Sequence, residues 1–449
     1  MKYRIITILA VVLTWAPLCP AVEYQVVDLG ELSTYFGELW RPLSINDAGQ
    51  VAGATGDVMS GSVRGYLWEN GFTYLSTQDA DWANDVNAGK MVVGAEAFLM
   101  FSTPFYWQNG SKTPLPTLGL DIYGEALAVN DNGKIAGIVH GSNPSFTKAA
   151  FWKDDGTVKE LVIIDRLSTS DDFNYATDIN NNDKVVGYSG DISRHRAFVW
   201  EEGLPPSELA MLQSDDLRAR ANAINNLDQA AGYIAGLDGE DHAVLWQNDE
   251  VVPLGPLNSE SWALNINDNE QVVGIYSTAD DISAFLWENG NFIDLNDQLA
   301  DGSGWVLYEA HDINNDGWIV GVGSFNGGSE MRGFLLMPLP DEAITAEVAI
   351  SPGTLNLKGK AKWIICNLQL PAGYDVFNID PSSIRLWDEF APDPDKVHID
   401  PDAQILTARF SRAAIEHLLA PGMAKFVISG ELWDGTKFEG ADEIRVKGR

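Results

Sequence analysis

From residue 22 to about residue 340 the apolar residues come in short runs of three to six, separated by polar turns and without helical spacing. The clearest unit runs from Ala263 to Trp287: ALNINDNEQVVG, a short gap, then AFLW. In each copy a β-branched residue precedes an Asn, and a Gly stands seven places after it. The pairs are Asn46 and Gly53, Asn87 and Gly94, Asn130 and Gly137, Asn180 and Gly187, Asn225 and Gly232, Asn267 and Gly274, and Asn314 and Gly321. Successive Asn residues lie 41, 43, 50, 45, 42 and 47 positions apart. Repeats of that length without helical patterning predict four-stranded propeller blades.

The strands can be read within each copy. The first ends at the Asn and carries a small residue four places earlier: Ala83, Ala126, Ala176, Ala221, Ala263 and Ala310, with Pro42 in the first copy. Small residues suit the strand nearest the axis, where blades converge. The Asn opens a tight turn, for which Asn and Asp are fitted by side-chain bonds to nearby amides and tolerance of positive φ. The second strand contains the Gly, which marks a bulge or a close backbone approach. The third is apolar on both faces and closes on Trp68, Trp107, Trp152, Trp200, Trp246 and Trp287, with Leu336 in the seventh copy. A fourth strand follows in most copies, as at Phe72–Leu75, Val158–Leu161, Glu250–Leu254 and Asn291–Leu295. The seventh copy lacks one. Tyr24–Leu29 has its pattern and is expected to pair with the strand around Phe334, closing the ring and removing its edges.

These copies resemble the HAF repeats of secreted bacterial proteins, named for a histidine, alanine, phenylalanine motif. His242-Ala243-Val244 is near that motif, and Ala150-Phe151 and Ala284-Phe285 keep its last two residues. The resemblance covers residues 22 to 340 and implies an extracellular β-propeller. It implies no activity and no set of catalytic residues.

The period stops at about Ile344, after a linker-like Met337-Pro338-Leu339-Pro340-Asp341-Glu342. Six or seven strand-like runs follow, among them ITAEVAIS, KWIICNLQL, SIRLW and ILTARF, separated by turns such as Pro371-Ala372-Gly373 and Asp434-Gly435. They predict a β-sandwich of immunoglobulin-like size, with one short helix from a Ser411 cap to Leu419. NLKGKAKWI and GTKFEGADEIRV also resemble small C-terminal modules of secreted bacterial proteins. The expected fold is therefore all-β. It has an export signal over residues 1–21, a seven-bladed β-propeller over 22–340 closed by its N-terminal strand, and an immunoglobulin-like sandwich over 341–449.

Composition adds three constraints. The formal charge is −35, and residues 22–340 hold 15 Lys and Arg against 47 Asp and Glu. Such a surface repels phosphate backbones and anionic lipid, which argues against nucleic-acid partners and favours cations, basic ligands or plain solvation. The N-terminus has Lys2 and Arg4, an apolar Ile5–Trp15 and a small Ala21, the pattern of a secretory signal. Acylation at Cys19 is the alternative, although Pro17 and Leu18 are not the small residues that usually precede such a site. No later apolar run is long enough for a membrane span. Cleavage after Ala21 leaves Cys366 alone, without an internal disulfide partner, and its run WIICNL reads it as a small core hydrophobe.

Candidate chemistry is sparse. Asp312-Ile313-Asn314-Asn315-Asp316-Gly317 matches the opening of a calcium loop, with Asp312, Asn314 and Asp316 as oxygen ligands, but Gly323 stands where a bidentate Glu belongs. The same stretch is the seventh repeat turn, which accounts for it without calcium. His140, His195, His242, His311, His398 and His417 form no metal-ligand spacing, although His195 and His242 precede the third strands of adjacent copies and could meet at one rim. No catalytic or cofactor-binding residue is singled out: there is no GxSxG elbow, P-loop or dinucleotide fingerprint. The expectation is a secreted, non-catalytic repeat protein that binds an extracellular ligand, glycan or protein, or associates with a surface. The alternative is a polysaccharide hydrolase or lyase with paired carboxylates at one rim.

Overall fold

The computed structural model describes residues 24–448 apart from 32–41, 58–61, 77–80, 99–100, 119–123, 141–146, 155–158, 166, 168–172, 192, 214–216, 237–238, 256–258, 278–281, 301, 329–330, 340–342, 372, 388, 402 and 434–435. The expected export signal and Cys19 lie outside the described residues. Two compact units divide the chain, Glu23–Pro338 and Leu339–Arg449.

In the first unit every repeat is a four-stranded antiparallel sheet. Their inner strands are Pro42–Ile45, Asp81–Val86, Gly124–Val129, Phe173–Ile179, Arg218–Ile224, Ser261–Ile266 and Trp305–Ile313. Each is followed by a second, a third and an outer strand hydrogen-bonded in chain order, as in Ser261–Ile266, Val272–Ser277, Ile282–Glu288 and Asn291–Asp294. A single parallel bridge, His195 to Arg218, also joins the fourth sheet to the fifth. The seventh sheet takes its outer strand from the start of the chain. Tyr24–Glu31 runs antiparallel to Met331–Pro338, from Tyr24 opposite Pro338 to Glu31 opposite Arg332, and Arg332 grips Asp28 at 2.8 Å. Met337 and Pro338, read from sequence as linker, therefore belong to this closing ladder.

The asparagines tie the repeats into a closed circle of hydrogen bonds. The Nδ2 of Asn46 donates to the backbone carbonyl of Asn87, Asn87 to Asn130, Asn130 to Asn180, and Asn180 to Asn225. Asn225 then donates to Asn267, Asn267 to Asn314, and Asn314 back to Asn46, all between 2.9 and 3.1 Å. Each Oδ1 meanwhile accepts the amide four residues on, as Asn314 accepts from Trp318 and Asn267 from Gln271. Positive φ falls not on these Asn residues but three places later, on Gly49, Lys90, Gly133, Asp183, Asp228, Glu270 and Gly317.

The repeated Gly has a steric cause. It faces the repeated Ala across the ladder (Ala83 opposite Gly94, Ala176 opposite Gly187, Ala310 opposite Gly321), and a bulge follows immediately on the inner strand. The bulge turns the carbonyl of the residue before the Ala into the Gly. A Cβ on Gly94, Gly137, Gly187, Gly232, Gly274 or Gly321 would sit far inside contact distance of that oxygen. The six alanines are fully buried. The third-strand aromatics then fill the gaps between sheets. Trp152 and Trp246 are buried with their indole N–H groups on the carbonyls of Pro116 and Ala210, and Phe151 meets Trp200 of the next sheet edge-on at 5.3 Å.

The second unit is two sheets over one core. One holds Glu347–Ser351, Trp363–Gln369, Ile405–Ser411 and His398–Asp400; the other holds Arg385–Leu386, Gly422–Glu431 and Lys437–Lys447, with Ile344–Thr345 and Thr354–Asn356 added in parallel. Strict alternation sends Val348, Ile350, Ile364, Cys366, Leu368 and Phe410 inward to meet Phe426, Ile428, Phe438 and Ile444. Burial pushes the Cys366 thiol up to about 12, so it packs as a hydrophobe. The expected helix is shorter than read: Arg412–Ile415 is α, Glu416–Leu418 tightens to 3-10, and the Ser411 side chain makes no cap bond.

Two outcomes follow from these contacts. Gly274→Ala must displace the Trp262 carbonyl and is expected to cost about 3 kcal/mol, read as a drop in urea midpoint. A chain starting at residue 32 leaves the Met331–Pro338 edge unpaired. It should melt lower and self-associate, and a peptide of residues 24–31 added in trans should restore the melting temperature.

Candidate functional site

The closed ring makes the seven inner strands the wall of a channel with two different ends. At the asparagine end a second circle of bonds lies outside the first. The amides of Ala88, Asp131, Asn181, Asn226, Asp268 and Asn315 each donate to the side-chain Oδ1 of the equivalent residue in the next turn. The circle breaks once, because Ala88 offers no acceptor to Asp47. A cavity of ≈ 170 Å³ sits within these turns. Its walls are amides and carboxylates already engaged with one another.

Behind this end stand three carboxylates, buried at Asp312 and half-buried at Asp85 and Asp178, of which the sequence marked only Asp312, as a calcium ligand. Asp85, Asp178 and Asp312 occupy the position two after the repeated Ala or its equivalent, just past the bulge. Each accepts the next amide of its own strand and the matching amide of the next sheet: Val86 and Val129, Ile179 and Ile224, Ile313 and Ile45, all at 2.7 Å. They act as staples between sheets. Burial, with the charge of Asp85 as a second cause, pushes Asp178 up to about 7; burial foremost and Asp85 also push Asp312 up to about 8, although its two amides pull the other way. Asp85 is raised as well, by burial first.

The calcium-loop residues are placed by the same geometry. Asp312 holds Ile45 and Ile313, Asn314 holds the amides of Asp316 and Trp318, and Asp316 is exposed. Among the described residues no group of three or more His, Cys, Asp or Glu side chains is arranged to hold a metal.

The opposite end is different in kind. Tyr175 and Tyr188 stack at 4.8 Å, Phe173 meets both at 5.9 Å, and the Arg220 guanidinium lies over Tyr188 at 4.4 Å and Tyr233 at 5.8 Å. His195 joins them, taking Arg220 Nε at 3.2 Å. His195 and His242 are not in loops before the third strands, as read from sequence, but inside them, in His195–Trp200 and Asp241–Gln247. His195 meets Arg220 of the following sheet's inner strand, and the charge of His242 acts on Glu260, just before the next inner strand. They are thus one sheet apart rather than a pair.

A larger concavity, ≈ 780 Å³, opens between the fourth and fifth sheets. The outer strand of the fourth sheet is only Ser207–Glu208, which leaves Val186, Val199 and Trp246 as a floor under a rim that includes Glu250 and Glu270.

No family model and no curated protein matches the chain. Solved structures that share its β-propeller architecture include the β-propeller domain of the Trilobed protease from Pyrococcus furiosus (12% identity, 56% of this chain and 80% of that one, TM-score 0.41). Others are a prolyl endopeptidase (11%, 81% and 56%, 0.44) and a mutant Aleuria aurantia lectin in complex with Fucα1-6GlcNAc (11%, 56% and 94%, 0.35). At TM-scores below 0.5 these likenesses bear no argument. The architecture rests on the sheet order and the closed hydrogen-bond ring.

The staples set a pH dependence. A carboxyl whose pKa is higher in the folded chain than its ordinary value near 3.8 binds a proton on folding. Its contribution is full below that value and is lost as pH rises through about 7 for Asp178 and about 8 for Asp312. Urea unfolding should therefore show falling stability from pH 5 to pH 8.5. Asp312→Asn turns an N–H toward a backbone N–H; it should cost about 2 kcal/mol at pH 5 and less at pH 8.5, which flattens that slope.

Proposed function

We propose that this chain is a secreted, non-catalytic binding protein of the HAF-repeat kind. On this reading the first unit is a seven-bladed propeller closed by its N-terminal strand, and the second is an immunoglobulin-like module. The ligand is extracellular, a glycan or a protein. One observation supports this most. The carboxylates that gather around the channel, Asp85, Asp178 and Asp312, are each held by two backbone amides and serve the fold, while the opposite end presents aromatic rings and a guanidinium suited to recognition. Exposed Phe377 and Trp433, next to each other through the Trp433 amide on the Asn378 carbonyl, offer the second unit an apolar edge for surface association.

A second reading has its own support. The acidic rim over an apolar floor between the fourth and fifth sheets is a setting in which two carboxylates could cleave a polysaccharide. The discriminating experiment is a glycan, protein and metal screen of the mature chain with product analysis. Saturable binding without turnover is expected, and calcium is expected to leave the melting temperature unchanged. Release of reducing or unsaturated sugar ends, abolished by Glu250→Gln or Glu270→Gln, would move the chain to the hydrolase or lyase class. A calcium-induced rise in melting temperature would restore the metal loop.

A further inference from the structure

We infer that Arg220 anchors a single carboxylate on an otherwise uncharged, ring-bearing ligand at the channel end opposite the asparagine ring. The inference rests on the ligand-binding reading above and names the ligand chemistry.

The guanidinium is fixed before any ligand arrives. His195 Nδ1 lies 3.3 Å from the carbonyl of Asp191, which can only accept, so Nδ1 carries the proton. Nε2 then presents its lone pair, and Arg220 Nε donates to it at 3.2 Å. Burial first, and Arg220 second, lower the imidazole to about 4, so this neutral tautomer persists across ordinary pH. Tyr188, itself stacked on Tyr175, supports the guanidinium plane from one side at 4.4 Å. Arg220 is thereby held by its Nε edge and its face.

Its terminal nitrogens are what remain. Among the described residues they have no hydrogen-bond partner. That is unexpected in a repeat unit with 47 acids to 15 bases. Other cations follow the majority: Arg196 lies 3.0 Å from Glu208, Arg218 lies 3.7 Å from Asp241, and, on the second sheet, Lys112 lies 2.9 Å from Asp81. Asp241 carries its charge into this cluster, but its Oδ2 accepts the Trp262 indole N–H at 2.9 Å and its Oδ1 faces Arg218. The Asp191 carboxylate accepts the amides of Ser193 and Arg194. Arg220 instead pairs with a neutral imidazole.

The chemistry of the missing partner follows. A guanidinium fork matches a planar carboxylate through two parallel bonds. The surrounding charge limits the count. One guanidinium neutralises one negative charge, and every further charge on the ligand meets the field of the acidic propeller. A phosphate dianion or a polyanion is disfavoured, and a monocarboxylate is not. Tyr233, half-buried beside Arg220, gives the uncharged body of a sugar a face to lie against.

The test compares methyl glucuronide with methyl glucoside, which differ by the carboxylate, in calorimetric titrations of the mature full-length protein. The glucuronide should bind, and the glucoside should be weaker by roughly tenfold or more. Glucose carrying a single sulfate ester should fall between them, and polygalacturonate should bind less well per carboxylate, improving with salt. Arg220→Gln should reduce the glucuronide to the glucoside's level, and Arg220→Lys should retain part of the difference, both with melting temperatures near that of the parent. Affinity should be flat from pH 5.5 to 8, since His195 stays neutral.

Equal affinity for the two glycosides, no glucuronide binding, or an unchanged affinity in the folded Arg220→Gln protein would overturn the inference. The wild-type comparison stands even where a variant misfolds. Saturable binding of a neutral glycan with no carboxylate preference would sink this inference and leave the binding reading intact. Failure of every ligand in the wider screen would sink both.

Discussion

Everything in the first unit depends on one side chain doing two jobs at each turn. The asparagine amide accepts the backbone N–H four residues on, which shapes its own turn, and donates to the carbonyl of the next turn, which fixes the neighbouring sheet. Asp lacks the donor and would set a charge against that carbonyl. Gln carries one methylene too many to reach both partners from the same backbone. A net contribution of about 1 kcal/mol per bond is modest, but seven such bonds form a circle with no terminal member. Opening one sheet breaks a bond on each side of it, so the circle couples sheets that share no contacts. The closing strand, Tyr24–Glu31, does at the periphery what the circle does at the axis.

The bulge beside each repeated Gly belongs to the same system. An inner strand that must curl around a narrow axis takes an extra residue, and the extra residue aims its side chain at the next sheet. Where it is polar it bonds there: Asn84 to the carbonyl of Ala126, Thr177 to Ala221, Asn222 to Ala263. One residue later the Asp staples reach the same neighbouring strands. Two successive positions on the inner strand, with the Asn that ends it, thus tie adjacent sheets near the axis, ahead of any contribution from the tryptophans farther out.

This hierarchy explains what could be read from the sequence. The Asn, Gly, Ala and Trp positions were legible because the geometry that demands them recurs in every sheet. The closing strand was legible because one copy lacked a member that the other end of the chain supplied. The staples were not, because Asp85, Asp178 and Asp312 occupy three of seven equivalent positions in a chain crowded with acids; spacing marked Asp312 only as a calcium ligand and the other two not at all. The linker reading failed at Met337 and Pro338, since proline at the end of an edge ladder looks the same in sequence as proline in a tether. The Arg220 cluster draws its members from five strands of two sheets. Only pairing register brings Tyr175 against Tyr188 and Arg220 against Tyr233.

The same register shows where variation is permitted. The residue before the repeated Ala is Trp82, Glu125, Tyr175, Arg220, Trp262 and Glu309 in successive sheets, six occurrences with four chemistries at one backbone position. Its carbonyl is pinned against the Gly opposite, so its Cα is placed identically each time. Its side chain enters neither the asparagine circle nor the staples. A position whose backbone is overdetermined and whose side chain takes no part in the asparagine circle can change chemistry without disturbing the ring. The asparagine end has no such freedom, because a substitution there opens the circle. The physical asymmetry between the two ends therefore leaves one fixed by the circle and the other open to variation, and Arg220 stands at the variable end.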